Sequence, residues 1–149
     1  MLRRIRISRF KSIYEDELEL GHVNLFIGAN GSGKSNVLEA LGILSAIFSR
    51  GLDSTELDLK GIRISLPHIF KSAFKGHDLP KTFRIEATFD HGRYDCGIRA
   101  STSSAYLEFF SEALYDGERQ VYGRSMHGIR VRSAEFTSGE LDNLSIDES

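Results

Sequence analysis

One cysteine and two prolines among 149 residues remove several classes of protein at the outset. A lone thiol, Cys96, has no partner for an internal disulfide, so a disulfide-stapled secreted scaffold is excluded. Five histidines (His22, His68, His77, His91, His127) are scattered without metal-ligand spacing, and one cysteine cannot complete a zinc cluster. No charged leader runs into an apolar core of signal type. The longest apolar-rich segment, from Val37 to Phe48, is interrupted by Glu39 and falls short of the about 20 residues a membrane span needs. No membrane insertion and a cytoplasmic location are therefore expected. Net charge is also small, −2 with 27% charged residues, which argues for neither a polycationic nucleic-acid coat nor an acidic tail protein.

What is present is enough apolar material, 40% of the chain, for one sizeable core. The charges are unevenly placed. Between Met1 and Tyr14 they are Arg3, Arg4, Arg6, Arg9 and Lys11, whereas beyond Arg132 only the acids Glu135, Glu140, Asp142, Asp147 and Glu148 occur. The arginines could form a phosphate-contacting strip, but Arg4 and Arg6 alternating with Ile5 and Ile7 also describe an ordinary solvated strand face, and that is the reading taken.

Ile5 and Ile7 alternate with Arg4, Arg6 and Ser8 on the way to Phe10, the period of a half-buried strand. "KSIYEDE" reads as polar and turn-like. "LELGHVNLFI" then offers Val23, Leu25, Phe26 and Ile27 as a continuous apolar run, which suits a strand buried on both faces within an α/β sheet. From Lys34 the period changes: Val37, Leu41, Leu44 and Phe48 line one helix face, predicting a helix to about Ser49 that ends near Gly51. Residues 51–80 read as loop with short elements, including a cap at Ser54 and the breakers Pro67 and Pro80. Phe83, Ile85, Ala87 and Phe89, a turn at "DHG", and Tyr94, Cys96 and Ile98 form a hairpin signal, to which "AYLEFFSEAL" and "IRVRSAEF" add strands. Residues 1–136 are thus read as one lobe and 137–149 as a frayed acidic tail.

The chemistry is concentrated in "GANGSGKS". Gly28 through Ser35 fit G-x-x-x-x-G-K-[ST] at every fixed position, between a predicted buried strand and a predicted helix, which is the context this phosphate loop requires. With glycine at about 7% of average sequence, the pattern arises by chance in roughly one such chain in a few hundred. Gly28, Gly31 and Gly33 let backbone N–H groups turn inward, and the helix adds its positive dipole end to the same concavity. That shape suits an anion of several charges, and the cofactors expected with the motif are ATP and Mg²⁺. Lys34 reaches the β- and γ-phosphates, and the hydroxyl of Ser35 takes one place in a Mg²⁺ shell.

With "LRRIRISRFKSI" ahead of "LELGHVNLFIGANGSGKSNVLEAL", the chain resembles the N-terminal ATPase lobe of the RecF, structural-maintenance-of-chromosomes and overcoming-lysogenization-defect group, bacterial AAA-family ATPases of ABC type. Phe10, Lys11 and Ser12, Gly28, Asn30 through Asn36, and Leu38 through Leu41 carry the match, over about the first third of the chain. The resemblance implies an α/β fold, a partial P-loop NTPase head with a mixed sheet, a Walker A helix and an antiparallel hairpin-rich region. It also implies nucleotides sandwiched between two heads, a homodimer in the full-length protein, with the partner head supplying a signature serine. On this resemblance Asn30 lies near the γ-phosphate, Ser32 and Asn36 belong to the same phosphate-binding set, and Lys11 approaches nucleotide or DNA. DNA repair or phage defence is the process the group suggests, with DNA or an attached nuclease or other effector as further partner.

Hydrolysis needs further groups: a carboxylate for Mg²⁺, a residue to position water and donors for the transferred phosphoryl group. Gln120 is the only glutamine, in a "DGERQVYG" segment that reads as a turn. "FTSGE" (136–140) and "NLSIDES" (143–149) faintly echo a signature and a Walker B strand, yet Asn143 and Ser145 interrupt what should be apolar. The sequence therefore reads as the N-terminal portion of a longer ATPase, inactive on its own. The alternative is a nucleotide-binding regulatory module that binds ATP without hydrolysis and controls an attached effector. Cys96, Tyr106, Phe109 and Phe110 read as core, and Ser101 to Ser104 as a polar turn.

Overall fold

The N-terminal alternation produces the first strand, β1 (Leu2–Phe10), whose Ile5 and Ile7 are fully buried while Arg4 and Arg6 face solvent. The computed structural model of the chain describes residues 1–49, 51–62, 82–100, 107–125 and 128–131. Strict alternation would bury Arg9, yet Phe10 is the buried residue. Arg9 stands in the left-handed region at φ 61°, which shifts the pleat by one residue and turns Phe10 into the core. There its ring lies 4.9 Å from that of Phe83.

Lys11, also left-handed at φ 50°, and Ser12 form a tight turn into β2 (Ile13–Glu19), with Phe10 opposite Ile13. The segment "KSIYEDE", expected as a turn, is thus mostly strand. The ladder explains it: Glu17 and Glu15 receive Arg4 at 3.2 Å and Arg6 at 3.0 Å across the pair, so a polar edge strand is held by cross-strand charge as well as backbone bonds.

The rest of the sheet is a meander. β3 (Thr82–Phe89), β4 (Gly92–Ala100), β5 (Leu107–Asp116), β6 (Arg119–Ser125) and β7 (Gly128–Val131) follow one another, giving the spatial order β2-β1-β3-β4-β5-β6-β7. The predicted hairpin at Asp90–His91 is the β3–β4 connection. Every described pairing is antiparallel, so the expected mixed sheet is not found among the described residues. The reason lies in 23–27. Val23, Leu25 and Ile27 are 91%, 81% and 83% exposed, and only Phe26 packs on the core. A strand buried on both faces needs neighbours along both edges, and no described strand supplies one.

One helix covers the apolar face of the sheet: α1 (Lys34–Ser49). Val37, Ala40, Ile43, Leu44, Ala46 and Ile47 are buried, a broader face than the predicted Val37-Leu41-Leu44-Phe48 stripe. Phe48 remains 54% exposed, though its ring meets Tyr94 at 5.0 Å and Phe89 at 5.7 Å. The extra width is used by a short helix, α2 (Ser54–Leu59), which brings Leu57 and then Ile62 against the same core. Its cap is Asp53 rather than Ser54: the Asp53 carboxylate accepts from the N–H groups of Thr55 at 2.8 Å and Glu56 at 3.2 Å. Residues 63–81, 101–106 and 132–149 lie outside the described residues, and with them the two tail echoes and the tail itself.

Candidate phosphate-binding site

Residues 28–33 carry the chain from the exposed 23–27 segment into α1, and two of them need glycine. Gly31 and Gly33 sit at φ 82° and 91°, where a Cβ costs roughly 1–2 kcal/mol per residue. The helix starts immediately afterwards. Asn36 and Val37 both donate their N–H groups to the carbonyl of Gly33, at 2.9 and 3.1 Å. The N–H groups of Gly33, Lys34 and Ser35 make no hydrogen bond to described residues. They are the unused donors every helix start carries.

The electrostatics sharpen this. The first turn of α1 holds no acid and begins with a cation, Lys34, although the positive end of a helix dipole favours negative side chains. Such a local conflict is resolved by an anion from outside. Lys34 folds back over the loop: Nζ donates to the carbonyls of Gly28 at 2.7 Å and Ala29 at 2.6 Å and to Ser32 Oγ at 3.1 Å. Ser35 stands exposed beside it, its hydroxyl without a hydrogen bond among the described residues. Asn30, Gly31 and Ser32 are exposed on the loop. Gly28, Asn30, Gly31, Ser32, Gly33, Lys34 and Ser35 thus stand together on one loop and helix start, and charged oxygen acceptors such as those of phosphate suit the free N–H groups, the ammonium and the hydroxyl there.

Asn36 also reaches beyond the loop. Its Nδ2 donates to Ser12 Oγ in the β1–β2 turn at 2.6 Å. Lys11, the neighbouring turn residue, forms an ion pair with Glu39, one turn further along α1. The turn therefore lies against the helix start. Glu39 was legible as an interruption of an apolar run and as one letter of "LEAL", and Ser12 as the last letter of Phe10-Lys11-Ser12. Nothing in their spacing, 24 residues apart for Ser12 and Asn36, marks them as neighbours.

The other candidates lie elsewhere. Gln120 is on β6 rather than in a turn, and its Nε2 donates to the carbonyl of Tyr122 at 3.2 Å. The arginine strip is largely neutralised: Arg3 pairs with Asp90, Arg4 with Glu17, and Arg6 with Glu15 and Glu17. The same polar sheet face continues with Arg84 to Asp95, Arg93 to Glu86 and Arg99 to Glu108, while Arg124 pairs with Glu112 on the opposite face, the one that carries Tyr94 and Cys96. The alternating signs of the polar face leave little net potential for a nucleic-acid backbone. Cys96 is fully buried in β4.

The family model described as AAA ATPase domain matches residues 1–127. The chain belongs to the AAA ATPase domain family. The phosphate loop, α1 and the β1–β2 turn all fall within the matched stretch of this AAA ATPase domain. Among curated proteins, the chain is 51% identical over 41 residues to the DNA replication and repair protein RecF of Glaesserella parasuis serovar 5. It is 49% identical over 45 residues to RecF of Magnetococcus marinus. These stretches cover 27% and 30% of the chain and 11% and 12% of the two relatives, so the chain spans only a small part of the proteins it matches. The similarity to RecF accords with the N-terminal portion of a RecF-like P-loop ATPase. No described helix is long and apolar enough to cross a membrane.

Proposed function

We propose that this AAA ATPase domain is the ATP- and Mg²⁺-binding lobe of an ABC-type head, hydrolysing ATP to ADP and phosphate once completed by further chain and a second head. The observation that carries the reading is the row of unused N–H donors at Gly33, Lys34 and Ser35, at a helix start whose first side chain is itself a cation. In this reading the loop from Gly28 to Gly33 wraps the β-phosphate with backbone dipoles, and Lys34 leaves the carbonyls of Gly28 and Ala29 for phosphate oxygens. Ser35 would hold Mg²⁺ through its hydroxyl, and the ion would supply charge neutralisation for the phosphates. Asn30, exposed at the rim, is available to the γ-phosphate.

The exposed apolar segment 23–27 supports the requirement for completion. A run built to be covered on both sides, lying next to the phosphate loop, fits a central strand whose neighbours come from the remainder of a longer protein. The carboxylate and the water-positioning group of hydrolysis would come with them. Lobe boundaries at 1–136, a homodimer of heads and a role in DNA repair or phage defence belong to the same proposal; likeness to a protein named for DNA replication and repair favours DNA-linked work.

The test is ATP turnover by the longer protein and its Lys34→Ala variant. The reading expects turnover in the parent and background in the variant. Equal background rates in both, with nucleotide still bound by the parent, would replace the enzyme with a nucleotide-sensing module that controls an attached effector.

A further inference from the structure

We infer that Ser12 is a positioning residue for the phosphate loop, fixing the start of α1 through Asn36; the inference rests on the nucleotide reading above. Three observations converge on the β1–β2 turn. Ser12 Oγ accepts from Asn36 Nδ2 at 2.6 Å, and Asn36 is the residue whose own N–H closes back on Gly33 at 2.9 Å, where loop becomes helix. A Cβ built on Gly33 would sit 3.6 Å from the same Ser12 Oγ, so the turn lies directly against the last glycine of the loop. Beside it, Lys11 and Glu39 form an ion pair whose side chains keep only 14% and 19% of their exposure, a setting that screens charge less than open surface does.

The turn is itself rigidly held. Arg9 and Lys11 occupy the left-handed region, which costs non-glycine residues of order 1–3 kcal/mol and persists only where surroundings over-determine it. Those surroundings are Phe10, fully buried against Phe83, and Ile13 across the ladder. A continuous path therefore runs from the core through Phe10 to the turn, from Ser12 to Asn36, and from Asn36 to the free donors at Gly33, Lys34 and Ser35. Holding these donors in place before the anion arrives removes an ordering cost from binding. Asn36 on this account orients the cradle and is not an independent phosphate ligand.

Binding of Mg-ADP, which is not turned over, to the longer protein tests this by equilibrium titration. Parent, Lys34→Ala, Ser12→Ala, Ser12→Thr, Asn36→Ala and the Ser12→Ala/Asn36→Ala double variant are compared, each with its urea midpoint. Loss of one hydrogen bond's preorganisation should weaken Ser12→Ala by about three- to tenfold. Because Ser12 is exposed, the midpoint should stay at the parent's. Ser12→Thr keeps the hydroxyl and should bind as the parent does. The double variant should bind no more weakly than the weaker single one, since both remove the same contact. Parent-like binding by Ser12→Ala overturns the inference, as do losses that multiply in the double variant or a fall in affinity that tracks a fall in midpoint. If the parent binds no Mg-ADP, the nucleotide reading fails and this inference with it; parent binding abolished only by Lys34→Ala leaves that reading standing and sinks the role of Ser12.

Discussion

Lys34 Nζ donates to the carbonyl oxygen of Ala29 across 2.6 Å, so the ammonium closes the loop it is placed to serve. A phosphate must replace this contact and those to Gly28 and Ser32. Charge-assisted bonds to phosphate exceed neutral ones by enough for the exchange to be favourable. Lys34→Ala should therefore weaken Mg-ADP binding by about ten- to a hundredfold, the worth of one charged hydrogen bond. Titration of the longer protein checks it, and a change below twofold would remove Lys34 from the site.

Two glycines of the loop should respond differently to alanine. Gly33 lies at φ 91°, so Gly33→Ala should cost roughly 1–2 kcal/mol of stability and disturb nucleotide binding. Gly28 has no positive φ, and an added Cβ would approach the rotatable hydroxyl of Ser32 at 2.9 Å. Gly28→Ala should thus cost about half as much or less. Urea denaturation of the two variants ranks them, and the reverse order would contradict the loop geometry.

Local pattern made much of this legible. Ile5 and Ile7, the 83–98 hairpin and the phosphate loop followed by its helix each carry their signal within a few residues. What stayed hidden depends on partners distant in sequence. "KSIYEDE" is polar enough for a turn, and only Arg4 and Arg6 opposite its acids make it a strand. Conversely, Val23 to Ile27 has the composition of a buried strand but lacks a neighbour among the described residues. At the site, spacing identified the loop but not the turn beneath it, because the Ser12 to Asn36 contact exists only after β1 and α1 have packed.

Asp90 offers a pH signature. Hydrogen bonds from the Met1 amino group and then from Arg3 hold its carboxyl at about 2, below the ordinary 3.8. A depressed acid contributes stability that is present above its ordinary pKa and lost as pH falls through the folded value. Asp90→Asn should therefore reduce stability at neutral pH slightly and flatten the acid limb between about pH 4 and pH 2. Urea midpoints across that range decide it: parallel limbs in parent and variant would show that the exposed pair contributes nothing.

Cys96 should be chemically silent. It is fully buried in β4, and burial pushes its thiol well above the usual range, so little thiolate is available. A disulfide reagent such as dithionitrobenzoate should label about none of the native protein within minutes and all of it in denaturant. Rapid native labelling would mean that the β3–β4 region opens far more readily than its packing against α1 implies.

The exposed segment before the loop gives opposite predictions in two settings. On the 149-residue chain alone, Val23, Leu25 and Ile27 form an apolar strip facing water, which favours self-association and binding of hydrophobic dyes. Leu25→Lys should lower both while leaving the circular dichroism spectrum unchanged, because Leu25 supports none of the described core. In the longer protein, where the strip is proposed to be a central strand, the same charge would be buried without a partner. Several kcal/mol of destabilisation should follow, about 2–5, along with loss of ATP turnover. Improved behaviour of Leu25→Lys in both settings would mean that 23–27 stays at the surface, and the proposed completion of the sheet beside the phosphate loop would have to be given up.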